Sequence, residues 1–121
     1  MHEVARGRWH GRLWRVLAEV GPDGRMTTQV RIGRGPLASW SSRTGQVVSE
    51  PGSITWWWEA SSARPSFVVV QAPPEVRRVR VQAVDADDFD LVLNDMDSRT
   101  GLRFAAAPLR PGIAVVDVTP A

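Results

Sequence analysis

Trp56-Trp57-Trp58 is the densest group of contact-forming side chains in the chain. Indoles carry a large apolar area and a polar N–H, so they anchor protein interfaces and stack on sugar rings or bases. On a strand, alternation sends Trp57 to the face opposite Trp56 and Trp58. Ile54 is in phase with Trp56 and Trp58, and Thr55 with Trp57. That phase makes Ile54, Trp56 and Trp58 the core candidates and Trp57 the surface candidate. Trp40, in a Ser- and Gly-rich stretch, would extend the same platform. The plainer alternative is a wide core with one indole lying under residues 33–52.

Two charged groups come next. Arg78 and Arg80 share one face of a strand, with Arg103 as a candidate on a neighbour, and such a stripe suits a phosphate or carboxylate. The competing reading is an exposed face paired with acidic turns, which is worth little energetically. Asp85, Asp87, Asp88, Asp90, Asp95 and Asp97 offer hard oxygen ligands for Ca²⁺. Their spacing is not that of an EF-hand loop, and turn chemistry accounts for them equally well. No metal or cofactor is therefore assigned.

Acid–base chemistry has little to work with. His2 and His10 are the only histidines, and there is no cysteine. The chain contains no Gly-x-Ser-x-Gly, no phosphate loop and no zinc-ligand pattern, so the reading is non-enzymatic. The absence of cysteine also excludes disulfides and leaves the redox compartment unread.

All fifteen basic residues are arginine, yet the formal net charge is only +2. A GC-rich genome accounts for the arginine bias, and so small a net charge argues against nucleic acid as the partner. Charge is uneven: residues 1–50 hold eight Arg against four acids, and residues 51–121 seven against nine. No apolar run approaches a membrane span, and residues 1–12 lack the apolar centre of a signal peptide. The location expected is the cytoplasm, or the cell envelope or exterior if the chain is a trimmed ectodomain.

The elements that must position these residues are strands. Residues 67–84, FVVVQAPPEVRRVRVQAV, read as two strands parted by a Pro-Pro corner. Phe67, Val68, Val69 and Val70 form the continuous apolar run of a strand covered on both faces. Pro73 and Pro74 cannot donate to a ladder. Beyond them Val79, Val81 and Ala83 alternate with Arg78, Arg80 and Gln82.

Upstream, residues 1–12 carry Gly7 and Gly11 without a clean period and read as a loose leader. Residues 13–20 and 26–32 form a hairpin about Gly21-Pro22-Asp23-Gly24. Trp14, Val16, Ala18 and Val20 share one face of it with Met26, Thr28, Val30 and Ile32. Residues 33–52 read as a long surface excursion, with Val47 and Val48 pairing briefly. Strands follow at 54–60, 89–93, 102–106 and 113–118, with turns at 61–66 and 108–112. Phe89, Leu91 and Leu93 point inward, and Asp90 outward.

About eight short strands at this spacing predict an all-β, antiparallel, immunoglobulin-like β-sandwich over residues 13–121 as a single domain. A small closed β-barrel is the alternative.

Gly11 with Trp14-Arg15, Asp23-Gly24-Arg25, the Pro-Pro strand at residues 73–81 and the run at residues 103–108 together resemble a recurrent immunoglobulin-like β-sandwich domain of high-GC actinobacterial proteins. Members often lie outside the membrane behind an N-terminal anchor, and no such anchor is read in residues 1–12. The resemblance implies a fold and an envelope location, and no activity. The function expected is an interaction module that binds a protein partner through the Trp56–Trp58 strand and the Gly/Ser-rich stretch. The alternatives are a glycan-binding module that stacks sugars on the same tryptophans, and a structural subunit of an envelope or phage assembly.

Overall fold

The computed structural model describes residues 1–22, 24–33, 39–47, 53–59 and 66–121; at residues 25, 39–47 and 59 it describes the backbone alone. The described residues are all-β and antiparallel, with ten strands and no helix. None of the sheets closes into a barrel. The chain divides into two compact units, Met1–Val48 and Ser49–Ala121, where one domain was expected.

The first unit is a four-stranded meander of β1 (His2–Trp9), β2 (Arg12–Val20), β3 (Arg25–Ile32) and β4 (Ser39–Val47), in that order. The hairpin read from residues 13–32 is β2 and β3. Trp14 pairs with Ile32, Val16 with Val30 and Ala18 with Thr28, all six buried. Val20, at the hairpin end, is exposed. The turn closes with a bond from the Gly24 N–H to the Gly21 carbonyl; Asp23 lies outside the described residues.

Residues 1–12, read as a loose leader, are instead β1 and its turn. Trp9 pairs with Arg12 across a two-residue loop, His10-Gly11, with φ of 47° and 78°. Positive φ at both central positions matches the right-handed twist of the flanking strands. Histidine occupies the position where asparagine would have signalled a hairpin. Nine residues of the stretch read as a surface excursion, Ser39–Val47, form β4, which pairs with β3 and is an edge strand among the described residues. Its sequence, SWSSRTGQV, holds only two apolar residues, Trp40 and Val47, at opposite ends, so it carries no hydrophobic period. Val47 pairs with Arg25 as expected, while Val48 lies outside the described residues.

The second unit is a β-sandwich of two three-stranded sheets. One holds β5 (Thr55–Glu59), β6 (Ser66–Ala72) and β9 (Arg103–Leu109), with β6 central. The other holds β10 (Ala114–Pro120), β7 (Arg78–Val84) and β8 (Phe89–Val92), with β7 central. Val68, Val70, Ala72, Ala105 and Leu109 from the first sheet meet Val79, Val81, Val115 and Val118 from the second in one core. Phe89 and Leu91 pack against it, and Leu93 belongs to it, as the alternation predicts.

The Pro-Pro corner is therefore a crossover between sheets. Every residue of β6 is buried, as expected of a strand covered on both faces. The expected turn at residues 108–112 begins later, because β9 runs through Pro108 to Leu109. β9 is an edge strand, where a missing N–H is tolerated. The turn proper is Arg110-Pro111-Gly112-Ile113, with an Ile113 N–H to Arg110 carbonyl bond and a Gly112 φ of 89°. The turn read at residues 61–66 lies outside the described residues, except for Ser66 in β6.

Candidate interaction surface

The three consecutive tryptophans lie on β5, opposite Val70, Val69 and Val68 of β6. Trp56 and Trp58, with Ile54, pack against the sandwich core, as their phase predicts. Trp57 is a correction: the expected surface indole is only 5% exposed, the most buried of the three. Its face of the sheet also carries Phe67, Val69 and Phe104, all buried. Thr55 in phase with Trp57 was the misleading signal, because one polar residue at a strand end says little about the middle of that face. Trp40 lies in β4, paired with Arg31 through the backbone, and its side chain is outside the described residues. The described indoles therefore form no exposed platform.

The outward face of β10-β7-β8 is where exposed contact chemistry gathers. Arg78 faces Val92 across the strands, Arg80 stands between Thr119 and Asp90, and Gln82 pairs with Asp117. The Arg80 Nε donates to Asp90 Oδ1 at 3.0 Å, with both side chains partly in solvent. Arg78 is exposed and makes no ion pair among the described residues. At one end of the face Val92 is 66% exposed; at the other Val84 and Val116 are 47% and 54% exposed. Val116 owes its position to a β-bulge between Val115 and Asp117. A bulge sets two residues against one on the partner strand, so Val116 and Asp117 both turn outward while Val115 and Val118 stay in the core. Sequence alternation could have found Val84 and Val92, which fall out of phase with the inward valines and leucines. It could not have found Val116, because a bulge breaks the phase.

Arg103 does not join this stripe. It lies on β9 in the other sheet, where Nε donates to the Pro74 carbonyl at 2.7 Å and Nη1 to the Asn94 carbonyl at 3.1 Å. It thereby ties together the two segments that leave β6 and β8. Asp95 is 3.9 Å from the same guanidinium.

The acidic residues are distributed among separate local jobs. Asp88 accepts from the Ala83 N–H at 3.2 Å, and Asp90 pairs with Arg80. Asp97 accepts from the Thr100 N–H and hydroxyl at 3.1 and 2.7 Å. Among the described residues no three acidic or histidine side chains converge in a way that could hold a metal ion. His2 and His10 sit at opposite ends of β1, roughly 26 Å apart at the usual rise per residue. His10 stacks edge-on against Trp9, with ring centroids 4.3 Å apart. The two imidazoles cannot meet at one substrate.

Comparison of the chain with protein-family models, curated proteins and solved structures gives no match. No helix of the described residues is long and apolar enough to cross a membrane.

Proposed function

We propose that the protein is a non-enzymatic interaction module that binds a protein partner through the outward face of β10-β7-β8. The carrying observation is the arrangement of exposed valines at both ends of that face around a polar middle of Arg80, Asp90 and Thr119. Apolar side chains held in solvent beside arginine are surface that a protein partner covers favourably. Asp90 and Asp117 lie among the arginines, and their charge opposes a phosphate backbone. The burial of Trp57, with Trp56 and Trp58 packed on the core, supports a protein partner over a stacked sugar. The wide separation of the two histidines supports the absence of catalysis. An immunoglobulin-like ancestry, and a place among actinobacterial envelope domains, belong to the same proposal.

The test is site-specific photocrosslinking in the source organism, with a benzophenone side chain at position 92 or 116 and a control at position 75. The reading expects the same discrete adduct from 92 and 116, its absence at 75, and its loss on Arg78→Glu. Equal labelling at all three positions, or none, removes this face as the contact surface.

A further inference from the structure

The C-terminal half of the β10 edge, beyond its bulge, is closed by its own residues. Among the described residues no strand lies beyond β10 in its sheet. The Ala121 N–H donates to the Arg78 carbonyl, and the register places Thr119 opposite Arg80 and Val118 opposite Val81. Hydrogen-bonding direction alternates along an antiparallel strand. Thr119 and Ala121 therefore direct their backbone groups toward β7, and Val118 and Pro120 direct theirs to the open edge. Neither of those two presents a usable donor. Proline has no N–H. The Val118 N–H is taken by Asp117 Oδ1 at 2.9 Å. The same device recurs where β8 ends: Ala83, the next position of β7 to face that side, has its N–H capped by Asp88 Oδ1.

We propose that Asp117 is an edge guard, which keeps β10 from pairing with a second copy of the chain. An uncapped edge is a template for strand addition. With the cap removed, two β10 strands could meet about a twofold axis at Val118, where each Val118 would exchange both backbone hydrogen bonds with the other. Such an isologous contact closes on itself as a dimer. The wild-type carboxylate opposes it twice, by occupying the donor and by bringing two like charges together across the axis.

The test compares wild type, Asp117→Ala, Asp117→Asn, Asp88→Ala and the double variant Asp117→Ala/Pro120→Ala by sedimentation velocity over a hundredfold concentration range, with circular dichroism as a check on folding. Wild type, Asp88→Ala and Asp117→Asn should remain monomeric, because asparagine keeps an acceptor oxygen in the same place. Asp117→Ala should shift toward twice the monomer mass as concentration rises. The double variant, with a second edge donor restored, should do so at least tenfold lower concentration. A folded Asp117→Ala that stays monomeric overturns the proposal. So does a wild type that already dimerises through β10, or an Asp117→Asn that dimerises as Asp117→Ala does. Amide exchange in the wild-type protein tests the cap without any variant: the Val118 N–H should be protected, and an unprotected rate overturns the proposal.

Discussion

Trp14 lies across Gly7, the residue paired with it on the neighbouring strand. A Cβ placed on Gly7 would collide with the indole at Cζ2 and stand 2.7 Å from Cε2. Glycine in a strand interior weakens the strand unless another group needs the space, and here the indole needs it. Trp14 is buried, so its ring has little room to retreat. Gly7→Ala should therefore destabilise the fold by about 1–3 kcal/mol through overpacking. Trp14→Leu would remove the clashing atoms, so the double variant should lose less than the two single losses combined. Urea denaturation of the three variants measures that coupling. Strict additivity would show that the indole does not hold Gly7 in place.

Trp57→Ala should be the most damaging of the three adjacent tryptophan truncations. Trp57 is buried, whereas Trp56 and Trp58 keep part of their surface in solvent. Removing a buried indole costs about 3–5 kcal/mol, and the partly exposed pair should cost less. Denaturant unfolding of the single variants ranks them. If Trp57→Ala is the mildest, that side of β5 is not part of the folded core.

The hairpin of β2 and β3 was legible because both strands alternate cleanly and a Gly-Pro-Asp-Gly turn lies between them. The double coverage of β6 was legible from its unbroken apolar run. β1 and β4 were not, for two different reasons. β1 alternates weakly, and its turn uses histidine at a positive φ. β4 has apolar residues only at its ends, Trp40 and Val47, so no hydrophobic alternation exists to be read. On the outward sheet, Arg78, Arg80 and Asp90 stand where alternation placed them, but Val116 is turned out by a bulge that no period reveals. Trp57 shows the limit of phase arguments. Alternation separates its face from that of Trp56 and Trp58, and says nothing about whether both faces are covered.

His10→Asn should leave the fold intact and change its stability little. His10 has a φ of 47° at the first position of a two-residue loop, where asparagine is among the preferred residues. Against this stands the edge-on contact with Trp9, worth about 0.5–1.5 kcal/mol for an aromatic pair. The two effects are similar in size, so the melting temperature should move by no more than a few degrees. A loss of ten degrees would mean that the Trp9–His10 contact, rather than backbone preference, holds the turn.

Arg80 and Arg103 both meet oxygen acceptors, but removing them should have unequal effects. The Arg80 side chain is 54% exposed, and its partner Asp90 is also open to water. Solvent and salt screen such a pair, so Arg80→Ala should cost under about 1 kcal/mol, and less still in high salt. The Arg103 side chain is only 12% exposed, and its guanidinium forks between the Pro74 and Asn94 carbonyls. Hydrogen bonds from a charged donor are worth about 1.5–3 kcal/mol, but Pro74 and Asn94 are exposed, so water can take over part of their carbonyl bonding after truncation. Arg103→Ala should therefore cost about 1–2 kcal/mol, more than Arg80→Ala, because its guanidinium itself is largely buried. The loss should barely change with salt, because neutral carbonyls are the main partners. Arg103→Lys should recover only part of it, since a single ammonium lacks the planar fork that reaches both carbonyls. Urea unfolding at low and high salt gives all of these values. Equal losses for Arg80→Ala and Arg103→Ala, or full recovery by lysine, would show that the fork does not hold the two sheet crossovers together.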